Sequence, residues 1–340
     1  MTPRKRFLTT LRFEEPDRPP HFESMFELEF EAFGLRFPDR RVWGSCTCAE
    51  KDRLIAGCME IYGRIVERYS WDALAGYWPW GDPAGVSAAR ETFGNQIAIG
   101  GMVGGGLWCI DTISDWDAFA ADLFEDRAEI HREADRRCRV ALALIDRLVD
   151  AGADFIFLPH DVAHNGGPFC SPADFAEIVT PYLARLVERV RQHGAIAIFH
   201  SDGNLMPVLD QILSCGPHAL QSIDPMAGMD IAEVKKRTYG KMALMGNVQC
   251  SLLQDGPLFA IRRSVRYCLE HGSPGGGYIF STSNTIFPGM PLAHYEYMLE
   301  VFREYCREKR QAQRKRKGAG PNRRLPGEDH DCRPPTESWS

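Results

Sequence analysis

His200-Ser201-Asp202 sets an imidazole and a carboxylate two residues apart, directly after the apolar run 195–199. On an extended chain alternate side chains point the same way, so the pair can work on one object. As metal ligands they suit zinc or another divalent ion, with a further ligand from Asp161, Asp224 or a more distant group. As acid and base they need no metal: the carboxylates raise the imidazole pKa, and crowding raises that of one carboxylate. The plain structural alternative is an Asp capping a loop beside a packed His. Four other apolar runs end in polar residues: His160 and Asp161 after 155–158, Asp224 after 219–223, Asn247 after 242–245, and Ser281, Thr282, Ser283 and Asn284 after 278–280. His200, Asp202, Asp161 and Asp224 are the catalytic candidates. His160, Asn204, Asn247, Ser283 and Asn284 are the substrate-binding candidates, and His200 with Asp202 the metal pair. No Lys or Arg stands among these five run ends, which favours a neutral or cationic substrate or a bound ion. A polyanion would need Arg4, Arg6, Arg12, Arg18, Arg40 or Arg41 from the front of the chain.

A repeating frame must carry those run ends. The five β-rich runs, with weaker ones at 72–77 and 97–102, alternate with polar or glycine clusters and long segments of helical period. A helix over 171–193 is the clearest prediction: Phe175, Ile178, Val179, Tyr182, Leu183, Leu186, Val187 and Val190 share one stripe, Ser171-Pro172 caps its start, and Gly194 ends it. The same period predicts helices over 128–149 and 292–306, with Cys138, Tyr182 and Cys306 as core residues. Repeated βα units close into a (β/α)8 TIM barrel or form an open doubly wound sheet, and the length favours the barrel. A barrel brings the C-terminal ends of its strands to one rim, which would gather the five polar clusters into one pocket. Gly101, Gly104, Gly105 and Gly106 lack the spacing of a dinucleotide-binding loop and read as a turn or a close backbone approach.

The chain has 340 residues, 44% hydrophobic and 25% charged, a globular composition that excludes fibrous and wholly disordered classes. A net charge of -6 argues against nucleic acid as the main partner. Three regions are expected: an N-terminal extension over 1–70 that packs on the barrel, the barrel over 71–310, and a disordered basic tail over 311–340. The eleven cysteines are scattered and odd in number, so they read as reduced thiols, and Cys46 and Cys48 as loop residues. With no leader-like apolar stretch at the start and no run of 18 apolar residues, a soluble cytoplasmic protein is expected, with no membrane partner.

An ordered series of motifs resembles the uroporphyrinogen decarboxylase superfamily, which includes corrinoid-dependent methyltransferases. The series comprises Glu15-Pro16-Asp17-Arg18-Pro19-Pro20, HDVAHNGGPFCSPADF from His160, FHSDGNLMPVLDQILSCG from Phe199, SIDPMAGMDIAEVKKRTYGKMALMGNV from Ser222 and GGYIFSTSNTIFPGM from Gly276. The resemblance implies a (β/α)8 barrel with its pocket at the strand C-terminal ends, and a homodimer. The decarboxylases carry an RQAGR-type segment that grips porphyrinogen carboxylates, with no counterpart here, and a late histidine where this chain reads Thr282-Ser283-Asn284-Thr285. The methyltransferases bind zinc through a His-x-Cys pair and a later Cys. Here His200 matches, Asp202 stands at the cysteine position, and the late stretch offers Ser281 and Ser283. The favoured expectation is methyltransferase-type one-carbon transfer on a small molecule, with zinc or another divalent metal and a corrinoid or pterin on a separate partner. Cofactor-free decarboxylation of a tetrapyrrole or related carboxylate is the alternative. A non-catalytic binding protein with a degenerate site is a third, from another class.

Overall fold

The computed structural model of the protein describes residues 1–75 and 79–318. Seven parallel strands form one curled sheet: β1 (Ala73–Leu74), β2 (Ala98–Met102), β3 (Phe155–Pro159), β6 (Ile196–His200), β7 (Ala219–Ser222), β8 (Ala243–Val248) and β9 (Tyr278–Thr282), hydrogen-bonded in that order. A small antiparallel hairpin of β4 (Ala163–His164) and β5 (Gly167–Pro168) rises between β3 and β6. The parallel strands are almost wholly buried, as expected for strands with helices on one side and a packed interior on the other. In-register pairs such as Pro159 with His200, His200 with Gln221 and Asn247 with Ser281 bring the polar strand ends to one level.

An eighth extended piece joins the edges of the sheet. His21 bridges Phe280 in parallel, the Phe280 backbone N donates to the Pro20 carbonyl at 2.9 Å, and the Asp72 backbone N donates to the His21 carbonyl at 2.8 Å. Residues 20–22 therefore stand between β9 and β1 and complete the barrel wall. These residues belong to the front region expected over 1–70. The helix Pro3–Leu11 lies across the N-terminal ends of the strands, with Phe7 fully buried and its ring 5.2 Å from that of Phe155.

The helix expected over 171–193 is two helices, Pro172–Ile178 and Thr180–Gln192. Pro181 lacks an N–H and sits in the first turn of the second, which forces the break at Val179. Ser171 caps the first helix by accepting from the Asp174 backbone N at 3.1 Å, and Gly194 follows the second at φ +70°. The helix Arg127–Asp150 matches its prediction within a residue at each end. The final helix, Leu292–Gly318, runs past the expected start of the tail, because Gln311, Ala312, Gln313, Arg314 and Lys315 are strong helix formers. The rest of the tail prediction, 319–340, lies outside the described residues. Cys138, Tyr182 and Cys306 are buried as expected, and Thr47 caps the helix Cys48–Tyr69 in the Cys46–Cys48 stretch. The ten described cysteines are free thiols.

Candidate active site

His200 is the last residue of β6 and is 8% exposed, with the Phe157 ring stacked beside it. Its Nδ1 is hydrogen-bonded to Gln221 Oε1 from the neighbouring strand β7. A carbonyl oxygen only accepts, so Nδ1 is the donor in this contact, and in the neutral ring Nε2 is the nitrogen left to bind an ion. Nε2 lies 3.5 Å from Asp161 Oδ1, just beyond β3. Asp161 Oδ1 also accepts from the Asp202 backbone N at 2.9 Å, tying the loops after β3 and β6 together. Ligand atoms of Asp161, His200 and Asp202 all lie within 4.8 Å of one another.

Asp202 is held by both oxygens. Ser222 Oγ donates to Oδ1 at 2.8 Å, and Asn284 Nδ2 donates to Oδ2. Burial pushes the Asp202 carboxyl above its ordinary range; His200 opposes this and Asp161 reinforces it. The chain turns sharply where Ser222 leaves β7: Ser222 has φ 96° and Ile223 φ 48°, both left-handed, an uncommon conformation for a β-branched residue. This bend lets Ser222 face Asp202. A pocket of about 290 Å³ opens over Asp161 and His200, with Met102, Gly104, Cys109, Asp111 and Thr112 also in its lining.

The remaining candidates divide. Asn284 belongs to the group through Asp202. Asp224 lies behind it: its oxygens accept from the backbone N of Met226 at 2.9 Å and of Gly203 at 3.4 Å, so it braces the loop after β7. Asn204 Oδ1 accepts from the Met206 backbone N at 3.0 Å, a local turn contact. Asn247 is spent within the wall, donating to the Ile223 carbonyl at 2.7 Å and accepting from Cys268 Sγ. Ser283 is 3% exposed and 3.7 Å from Cys250 Sγ. His160 is fully buried and accepts from the Gly106 backbone N at 3.1 Å; burial pushes its pKa down to about 4, so it stays neutral. A Cβ on Gly106 would come within 2.7 Å of Ala141 Cβ, which explains the glycine as a close approach. Gln221 and Ser222 are functional contacts that the sequence reading missed. The available signal was two polar residues inside an otherwise apolar strand.

The arginines proposed for a polyanion lie mostly at the other end of the barrel. Arg4 pairs with Asp154 at 2.8 Å, Arg6 with Asp72 at 2.5 Å and Asp17 at 2.6 Å, and Arg18 with Asp72 at 2.7 Å. Asp154 and Asp72 immediately precede β3 and β1, so these pairs cluster at the strand N-terminal ends. Arg41 pairs with Asp39 at 2.7 Å, and Arg40 lines another pocket beside Glu27, Glu29 and Glu31.

A parallel barrel with a histidine and two carboxylates gathered at its C-terminal rim has the layout of a barrel enzyme. The chain belongs to the uroporphyrinogen decarboxylase (URO-D) family, whose model matches residues 84–305. Its relatives include a methylcobamide:CoM methyltransferase, MtaA, of Methanosarcina barkeri, 28% identical over 227 residues. They also include a uroporphyrinogen decarboxylase of Azotobacter vinelandii, 26% identical over 233 residues. Each alignment covers 65% of this chain and 62% of the relative, so the match spans less than two thirds of those proteins. A methyltransferase from Methanosarcina mazei shares the fold, with a TM-score of 0.72 over 90% of this chain and 99% of that one at 17% identity. Among the described residues no helix is long and apolar enough to cross a membrane.

Proposed function

We propose that this chain is a methyltransferase-type member of its family, transferring a one-carbon group between a small molecule and a corrinoid or pterin held by a separate partner. The observation that carries the reading is the convergence of Asp161, His200 and Asp202 within 4.8 Å, with His200 Nε2 3.5 Å from Asp161 Oδ1. The donor set fits a divalent ion. One imidazole nitrogen and two carboxylates are ordinary zinc ligands, and His200 and Asp202 already have the outer partners, Gln221, Ser222 and Asn284, that orient such ligands. A zinc or similar ion there would supply Lewis-acid activation of the acceptor group. His200 would hold its ring against Phe157, and Asp202 would keep one fixed orientation between two donors. The oxygen-rich set, with aspartate where the related methyltransferases carry cysteine, suits an acceptor other than a thiol.

The competing reading, decarboxylation of a porphyrinogen-like polycarboxylate, needs cations at the rim. The residues lining the rim pocket include none, while Arg4, Arg6 and Arg18 are paired at the opposite end. Metal analysis separates the two. Purified protein freed of adventitious ions is expected to retain about one divalent ion per chain, and His200→Ala and Asp202→Ala to lose it. A wild-type protein that takes up neither zinc nor cobalt sinks the proposal and moves attention to decarboxylation.

A further inference from the structure

Glu23 is a fully buried carboxylic acid that the rim chemistry leaves unused. It follows the segment that closes the barrel, one residue past the wall pairing of 20–22 with β9. Where that segment stops offering backbone acceptors to β9, the Glu23 side chain takes over: Oε2 accepts from the Thr282 backbone N at 3.0 Å and from Thr282 Oγ1 at 2.8 Å. The Thr282 hydroxyl also lies 3.1 Å from the Asn284 carbonyl, and Ser24 Oγ donates to the same carbonyl at 3.3 Å. The Asn284 amide in turn donates to Asp202 Oδ2. Two consecutive residues of the closing segment thus grip the 282–284 turn from which one of the two clamps on Asp202 extends.

The form of Glu23 follows from its surroundings. Oε1 is buried without a hydrogen-bond partner; His21 Nδ1 stands 4.0 Å from it and is itself bonded to the Phe280 carbonyl at 3.0 Å. No Lys or Arg pairs with Glu23 among the described residues. Burial raises its pKa to about 8, opposed by the Thr282 donors, so at neutral pH Oε1 carries a proton while Oε2 accepts. A neutral acid serves here as a fixed acceptor that adds no charge beside the 282–284 turn.

We propose that Glu23 is a positioning residue for the rim site, acting through Thr282 and Asn284 to set the orientation of the Asp202 carboxylate. The inference rests on the metal-binding reading above. Its test is the affinity of the full-length protein for cobalt(II), followed by visible absorption, in wild type, Glu23→Gln, Glu23→Ala, Thr282→Val, Asn284→Ala and the double variant Glu23→Ala/Asn284→Ala. Glu23→Gln keeps an acceptor for Thr282 and a donor where the proton sits, so its affinity should stay within about threefold of wild type. Glu23→Ala should lose about 10–100-fold, the usual cost of removing an outer partner of a ligand. Thr282→Val, which removes one hydroxyl and leaves the fold intact, should lose affinity in the same direction and keeps the test open if Glu23→Ala does not fold. Once Asn284 is absent, Glu23→Ala should add less than twofold; a merely structural Glu23 would add its full loss in either background. Wild-type affinity in Glu23→Ala, or full additivity in the double variant, overturns the proposal. If the wild-type protein binds no cobalt, the metal reading has failed, and crystal structures of the variants decide instead. An Asn284 amide that leaves Asp202 in Glu23→Ala and Thr282→Val but not in Glu23→Gln upholds the positioning role. An amide that stays in place in all three refutes it.

Discussion

Asp72→Ala should destabilise the protein severely while leaving the rim chemically intact. The Asp72 carboxylate is fully buried at the seam of the barrel and accepts from Arg6 Nη1 at 2.5 Å, Arg18 Nη1 at 2.7 Å and the His21 backbone N at 2.8 Å. The two guanidinium side chains are only 9% and 17% exposed, so removing the acid leaves them close together in a poorly solvated place. Breaking a buried ion pair from one side costs about 3–5 kcal/mol. The orphaned His21 N–H adds about 1–3 kcal/mol. Asp17 still serves Arg6, which returns part of the loss, so about 4 kcal/mol is a fair expectation, a large share of the ~5–15 kcal/mol that holds most proteins folded. Urea unfolding followed by tryptophan fluorescence measures it, since Trp71 is buried beside the seam. Asp72→Asn, which keeps an acceptor for His21, should lose less. A loss below about 1 kcal/mol in Asp72→Ala would refute the seam as described. So would an Arg18→Ala variant of unchanged stability with a raised KM for a carboxylate substrate, because it would return that arginine to substrate binding.

Other expectations concern the rim and its support. Gln221→Leu removes the acceptor that fixes the His200 tautomer and should weaken metal binding by about 10–100-fold, whereas Asp224→Ala, which loosens only a loop, should keep the metal stoichiometry. Metal titration of both variants checks this, and equal losses would mean that Asp224 is a ligand. His160 should remain neutral across pH 5–8 by NMR, because its folded pKa of about 4 lies below the unfolded value near 6.5. That depression stabilises the fold fully above pH 6.5, and the benefit is lost as pH falls toward 4. The stability advantage of wild type over His160→Asn should therefore shrink by about 2 kcal/mol between pH 7 and 5. Gly106→Ala would drive a methyl group to within 2.7 Å of Ala141 and should cost about 1–3 kcal/mol in urea unfolding.

The strand ends were legible in the sequence because a buried parallel strand is a short apolar run whose polar successor marks its C-terminal end. Runs read at 155–158, 195–199 and 278–280 correspond to Phe155–Pro159, Ile196–His200 and Tyr278–Thr282; the first two put Asp161, His200 and Asp202 in one place, and Asn284 follows the third. The weaker run at 72–77 corresponds to Ala73–Leu74, and its last two residues, 76 and 77, lie outside the described residues. The break at Val179 was missed although Pro181 stood in view, because the apolar stripe continues across it. The wall segment 20–22 was missed for a different reason. It pairs through a single bridge and opens on the second of two prolines, too short a stretch for any period to emerge. Asn247 and Asp224 occupy the right strand ends, but spacing along a chain does not say whether a side chain faces the mouth or is spent on a neighbouring backbone group.

The closing segment also has a consequence for assembly. His21 meets Phe280 across 259 positions of chain, so the wall cannot close until its last strand has been made. During synthesis the six strands made before β9 must wait with both edges of their sheet unpaired, held by the more local βα contacts. Closure then orders the front segment against the two edges in one late event. Because Glu23 and Ser24 reach the Asn284 turn in that same event, the Asp202 clamp and the finished barrel should appear together, and a nascent chain lacking β9 would hold its strands without a competent site.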